Sequence, residues 1–169
     1  MAKPLPDIAG PGLSVIFCGL NPGLAAAAAG HHFVGRGNRF WRVLHLAGFT
    51  PVEIDPAHDA ALLDYGLGIT SVVERPTAGV DDLARSEFVA AATGFERWVR
   101  RLAPRYIAFL GKAAYGAMTE NRTVPWGRQA EPFGGSVAWV LPNPSGRNLA
   151  FSQDALVAAY RELRVSAQE

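Results

Sequence analysis

Two short segments of this sequence hold the side chains best suited to chemistry on a small ligand. The first is Gly19-Leu20-Asn21-Pro22-Gly23. Glycines there permit close backbone approach, proline fixes its own backbone angle, and Asn21 offers a carbonyl acceptor and an amide donor. Such a segment can cradle a planar ligand or a phosphate; equally, it can be a tight turn with Asn in an unusual conformation. The second segment is Leu141-Pro142-Asn143-Pro144-Ser145-Gly146-Arg147-Asn148. Its prolines stiffen the loop, Ser145 and Gly146 let backbone amides approach an anion, and Arg147 can project from the tip. Taken alone, a rigid connection with a solvated arginine is the plainer reading.

Other reactive groups are sparse. His31, His32, His45 and His58 do not follow a metal-ligand spacing, so no metal site is expected. His31 and His32 can line a pocket mouth or contact phosphate, although a structural loop role is the simpler reading. Asp64, Glu74 and Glu87 are acids that could assist Asn21, each with an ordinary explanation as a surface charge. Cys18 is the only cysteine. It lies in the apolar run Val15-Ile16-Phe17-Cys18 and reads as a core residue; one thiol allows no internal disulfide and fits a reducing cytosol. Gly111-Lys112-Ala113 lacks the rest of a phosphate loop, although Lys112 is placed to approach a phosphate. No cofactor is expected.

These segments need a frame. The chain has 169 residues, 49% apolar, with a net charge of +1, which suits one domain with one core over residues 1–169. The charge neither demands nor excludes a nucleic-acid partner. Only Lys3 and Lys112 are lysines; arginine suits phosphate and base-edge recognition. No signal peptide or membrane span is evident, and residues 1–11 are expected to be loosely ordered. Apolar runs predict strands over Ser14–Gly19, Gly68–Val72, Tyr106–Leu110 and Val137–Leu141, buried on both faces. Helical spacing predicts helices over Asn38–Ala47, Asp59–Tyr65, Arg85–Leu102, Lys112–Met118 and Ser152–Arg164, the last capped by Ser152. Ala25–Ala29 reads as a compact loop or a short turn of helix. The alternation predicts an α/β protein, a three-layer α/β/α arrangement around a mainly parallel sheet of four to five strands. Ligands bind beyond the C-terminal strand ends of such sheets, and both segments directly follow a strand.

The order of the two segments, with Asn38-Arg39-Phe40-Trp41, Ala47-Gly48-Phe49-Thr50, Leu63-Asp64-Tyr65, Gly68-Ile69-Thr70, Glu74-Arg75-Pro76-Thr77, Leu110-Gly111-Lys112, Trp126-Gly127 and Ala159-Tyr160-Arg161-Glu162-Leu163 between and after them, resembles the mismatch-specific uracil-DNA glycosylases. These are bacterial relatives of thymine-DNA glycosylase within the uracil-DNA glycosylase superfamily. The resemblance covers nearly the whole chain and implies hydrolysis of the bond between base and deoxyribose after the base is flipped out of the duplex. It implies that Asn21 positions the attacking water, with Gly19, Leu20, Pro22, Gly23 and Phe33 forming the base pocket and Phe33 stacking on the flipped base. Gly23 stands where strict uracil enzymes carry Tyr, which implies a wide pocket taking uracil, thymine and ethenocytosine. Asn143, Pro144, Ser145, Gly146, Arg147, Asn148 and Lys112 are implied DNA contacts. Arg147 takes the wedge position, where the best-known bacterial pattern has Leu; Leu149 stands where that pattern has Arg, and the alanine run replaces serines. The implied partner is double-stranded DNA with G·U or G·T mismatches, met by a monomer in the bacterial cytosol and nucleoid, with no membrane involved. A glycosylase of broader specificity, such as single-stranded uracil or hypoxanthine, and a damage-binding protein without catalysis are the alternatives.

Overall fold

Four apolar runs form parallel strands whose C-terminal ends carry both segments. In a computed structural model, which describes residues 5–79 and 82–169, the strands are β1 (Val15–Gly19), β2 (Leu67–Ser71), β3 (Tyr106–Leu110), β4 (Gly127–Arg128) and β5 (Val137–Leu141). The sheet order is β2-β1-β3-β5-β4. β1 pairs in parallel with both β2 and β3, and β3 with β5, whereas β4 runs antiparallel to β5. β4 was not expected, because two residues without an apolar run leave no strand signal. Side chains alternate between the two faces along each central strand. Val15, Phe17, Ala108, Leu110, Trp139 and Leu141 enter one core cluster, whereas Ile16, Cys18, Ile107, Phe109, Ala138 and Val140 enter the other.

Helices cover both faces, which makes three layers. On the first face lie α2 (Phe40–Leu46), a 3-10 stretch (Pro56–Tyr65) and α5 (Gln153–Ala167), contributing Phe40, Leu44, Leu62, Leu156 and Tyr160 to the core. On the second lie α3 (Arg85–Leu102) and α4 (Lys112–Thr119), contributing Phe88, Phe95, Val99 and Tyr115. The alanine run forms a short helix, α1 (Leu24–Ala29), closed by Gly30 in the left-handed conformation. As expected, Ser152 caps α5: its hydroxyl accepts the Ala155 N–H at 3.1 Å.

Some boundaries differ from the periodicity, each for a local reason. α2 starts at Phe40 rather than Asn38, because the Asn38 side chain accepts the Phe40 N–H at 2.9 Å and forms a turn there. The stretch expected as a helix from Asp59 is 3-10 and begins at Pro56, capped by Asp55, whose side chain accepts the Ala57 N–H. β2 runs from Leu67, which pairs with Val15, and ends at Ser71. Of the stretch 1–11 expected to be loosely ordered, residues 1–4 lie outside the described residues; in the remainder, Ile8 is buried and exchanges backbone hydrogen bonds with Ile69 at 2.8 and 2.9 Å.

That last contact depends on Gly68. A Cβ there would lie 2.5 Å from the Ile8 carbonyl oxygen and 2.9 Å from Leu13 Cδ1, so Gly68→Ala is expected to destabilise the fold by about 1–3 kcal/mol and to speed hydrogen exchange at the Ile69 amide. An unchanged exchange rate at Ile69 would contradict the packing described. Tyr160 supports the second segment from below. It is fully buried and donates its hydroxyl proton to the Pro142 carbonyl at 3.0 Å; burial pushes its phenol well above the usual range, so it stays a donor. Tyr160→Phe leaves that carbonyl unsatisfied, at a cost of about 1–3 kcal/mol, read as a fall in Tm of roughly 2–4 °C per kcal/mol.

Candidate active site

The first segment leaves β1 and is zipped to the chain leaving β2. Val72, Val73 and Thr77 donate backbone N–H groups to the carbonyls of Gly19, Leu20 and Pro22 at 3.1, 3.0 and 3.2 Å. Asn21 completes this join with its side chain. Its Nδ2 donates to the Arg75 carbonyl at 2.8 Å and to Thr77 Oγ1 at 2.8 Å. Thr77 passes its own proton to the Gly79 carbonyl at 2.8 Å, so its oxygen is an acceptor towards Asn21. Both partners therefore require the amide nitrogen on that side. The carbonyl Oδ1 is left without a hydrogen bond among the described residues, on a side chain that lines the cavity.

Phe33 comes from the loop after α1. It holds φ +54°, a left-handed conformation rare for an aromatic residue and costly unless the surroundings enforce it. Asp59 helps enforce it: the buried carboxylate accepts the His32 backbone N–H at 2.9 Å and lies 3.3 Å from His31 Nδ1. His32 is tied further by its carbonyl, which accepts from Trp41 Nε1, and by its Nε2, 2.6 Å from the Pro6 carbonyl. Burial lowers the His32 pKa, and the Pro6 carbonyl fixes the proton on Nε2. The Phe33 ring then leans on Phe40, with centroids 4.1 Å apart and planes 33° apart. Its Cζ lies 3.8 Å from where a Cβ on Gly19 would stand. Phe33 is thus both a cavity wall and a partner of the core.

The second segment leaves β5 and is held by Arg39. One guanidinium donates to three main-chain carbonyls: Phe151 at 2.8 Å, Ser145 at 2.9 Å and Asn148 at 3.0 Å. The Arg39 N–H also reaches the Pro144 carbonyl at 3.0 Å. Asn143 and Asn148 brace the loop from within: Asn143 accepts the Ser145 N–H, and Asn148 Nδ2 donates to the Asn143 carbonyl. Gly146 packs against Gly37 so closely that a Cβ on it would lie 2.7 Å from the Gly37 carbonyl oxygen. Arg147 is exposed, yet it does not simply project from the tip. Its Nη1 lies 2.6 Å from the position a Cβ on Gly79 would take, so the guanidinium reaches across to the wall that carries Asn21. Leu149 is 91% exposed.

These walls enclose a cavity of about 430 Å³. All five members of the first segment, Phe33, Asn143, Ser145, Arg147 and Asn148 line it, whereas Pro144, Gly146 and Lys112 stand outside. Asp64, Glu74 and Glu87 do not line it, and none of the lining residues described is acidic. Glu87 instead receives Arg75 Nε and Nη2 at 3.0 and 2.9 Å and the Ala84 N–H at 2.8 Å; the Arg75 contact holds its carboxyl below the usual range. His32 lines the cavity, while His31 faces Asp59. Sequence reasoning assigned no role to Thr77, Ser71, Asn38 or Arg39. Thr77, Asn38 and Arg39 lie within motifs named above, but their types and spacing carry no sign of these contacts. Ser71 lines the cavity beside Gly19, its Oγ 3.9 Å from where a Cβ on Gly19 would stand. Chemically, the site can hold a flat polar ring against Phe33 and present it to a fixed amide carbonyl, with no carboxylate among the described lining residues.

Comparison with known proteins agrees with this arrangement. The profile of the Uracil DNA glycosylase superfamily matches residues 6–164. The chain is also similar to the solution NMR structure of a "putative Uracil DNA glycosylase" from Methanosarcina acetivorans, with a TM-score of 0.61 and 19% identity, covering 96% of this chain and 98% of that one. That second likeness shows a shared fold. Because the family match spans the whole sheet and both site segments, this protein belongs to the uracil DNA glycosylase superfamily and is a DNA glycosylase, a hydrolase of N-glycosyl bonds.

Proposed function

We propose that this glycosylase removes uracil from G·U mismatches in double-stranded DNA, and also accepts thymine opposite guanine and ethenocytosine, by flipping the base into the cavity. The observation that carries this reading is Asn21, a cavity-lining residue whose amide nitrogen is tied to Arg75 and Thr77 while its carbonyl oxygen has no hydrogen bond among the described residues. In that position Oδ1 accepts a proton of water and aims its oxygen at the sugar C1′. An amide does not ionise near neutral pH, so it orients the nucleophile without acting as a strong base. The bond breaks towards an oxocarbenium-like sugar and an anionic base. Phe33 stacks on the flipped ring, an interaction worth about 1–3 kcal/mol. With no acid among the lining residues described, the chemistry is slow, and the weaker pairing of a mismatched base contributes selectivity through cheaper extrusion.

The loop from Asn143 to Asn148 approaches the gap that the flipped base leaves, with Gly146 and Arg147 at its exposed edge. The enzyme works as a monomer in the bacterial cytosol, on chromosomal DNA. Gly23 sets the range of bases. A Cβ there meets nothing within 4 Å, so the site is open where a larger side chain would narrow it.

Base release from a G·U duplex by the wild type and by Asn21→Ala tests the mechanism. The variant is expected to lose about 10²–10³-fold in rate, the usual cost of one well-placed polar group, with its affinity for the duplex retained. Undiminished release would remove Asn21 from the mechanism, and no release by the wild type from any uracil or ethenocytosine duplex would overturn the functional reading. Gly23→Tyr is expected to keep uracil release and to lose thymine and ethenocytosine release. Retention of all three activities would show that this position does not set the range.

A further inference from the structure

We infer that Arg147 acts on the departing base: its guanidinium, turned into the cavity, stabilises the negative charge that the base acquires as the glycosidic bond breaks. This role deepens the proposed function and rests on the reading of uracil as the substrate. Arg147 leaves the second segment between Gly146 and Asn148, yet its side chain crosses to the opposite wall. Its Nη1 lies 2.6 Å from where a Cβ on Gly79 would stand, so the space left by the missing side chain of Gly79 seats the guanidinium. The Gly79 carbonyl accepts the Thr77 hydroxyl proton at 2.8 Å, and Thr77 Oγ1 accepts from Asn21 Nδ2 at 2.8 Å. The cation is therefore set on the wall that carries Asn21, next to the threonine that orients its amide.

The charges of the cavity select this role. Arg147 is the only arginine, lysine, aspartate or glutamate among the described residues that line it. His32 lines it too, but burial lowers its pKa, which keeps it uncharged near neutral pH. A guanidinium stays charged throughout. In the hydrolysis, the bond between C1′ and the base N1 breaks and its electron pair leaves with the base. The water oxygen bonds to C1′, and the proton that water loses ends, through solvent, on the base. Between these events the base is an anion, with its charge spread over the ring nitrogen and the carbonyl oxygens. The positive charge on the sugar is flanked by the phosphates of the DNA itself, whereas the flipped base meets protein groups. A fixed cation beside it lowers the barrier without moving a proton. A duplex seated over the mouth excludes water and strengthens the attraction.

Single-turnover base release at saturating enzyme, from a G·U duplex and from the same duplex carrying 5-fluorouracil, tests this. Fluorine differs little in size from hydrogen, but it makes the base a better leaving group that needs less help. Arg147→Met is expected to slow uracil release about 10²-fold and 5-fluorouracil release only about 10-fold, so the ratio of the two rates widens. Arg147→Lys keeps the charge and is expected to recover most of both losses. Gly79→Ala removes the seat but not the charge, and is expected to widen the ratio roughly 3-fold. A side chain that only fills the gap left by the flipped base would slow both reactions by the same factor. An unchanged ratio in either Arg147→Met or Gly79→Ala overturns the inference, as does an Arg147→Lys variant no faster than Arg147→Met. A wild type that releases neither base would instead overturn the reading of uracil as the substrate, and this inference with it.

Discussion

The site stands on the grip of one guanidinium upon a loop. Arg39 holds the carbonyls of Ser145, Asn148 and Phe151, and its own N–H holds Pro144. Carbonyls at the end of a loop have no ladder partner and must be satisfied locally. A planar group with five fixed donors can serve several at once, where a lysine would serve them one at a time and without fixed angles. The arrangement has a cost. Arg39 Nε is buried and unpartnered among the described residues, and a buried charge needs good geometry to be tolerated. Because Arg39 immediately precedes α2, the loop after β5 is held to the same helix whose Phe40 supports Phe33. Two walls of the cavity thus share one support.

The remaining wall follows a complementary logic. Asn21 is not free to choose its orientation, because the Arg75 carbonyl and the Thr77 hydroxyl both take its amide protons. The two bonds set the amide in one orientation, with its carbonyl oxygen turned away from both partners as a neutral acceptor. Phe33 is fixed in the same spirit: an unfavourable backbone angle is enforced by Asp59, Trp41 and Pro6 through His32.

Much of this was legible before any coordinates, and the reasons are physical. The strands over Tyr106–Leu110 and Val137–Leu141 and the helix over Arg85–Leu102 match their expected bounds, because burial on both sheet faces and a strong apolar stripe leave clear patterns. The first segment was legible because proline and glycine announce a turn, and a strand-following turn in an α/β sheet is where ligands bind. What escaped has no periodic signal. β4 is two residues long. Thr77 and Arg39 act through side chains that cross between loops 56 and more than 100 positions apart in sequence, and such pairings are invisible in a single chain without coordinates. The attachment of Ile8 to Ile69 was missed for the same reason, and the turn of Arg147 towards Gly79 depends on the placement of two loops rather than on either alone.

The support from Tyr160 to Pro142 has a consequence in time as well as in space. The wall that carries Asn21 is joined by residues 19–79, but the opposing wall is braced by a residue in α5. A chain growing from its N-terminus can display Asn21 long before it can close the cavity around a base. Synthesis at about 5–20 residues per second separates these events by seconds, and no intermediate length holds a complete site. The cavity therefore closes only once the helix that carries Tyr160 has joined the fold, which makes that late-synthesised helix, and not the Asn21 turn, the step that completes the site.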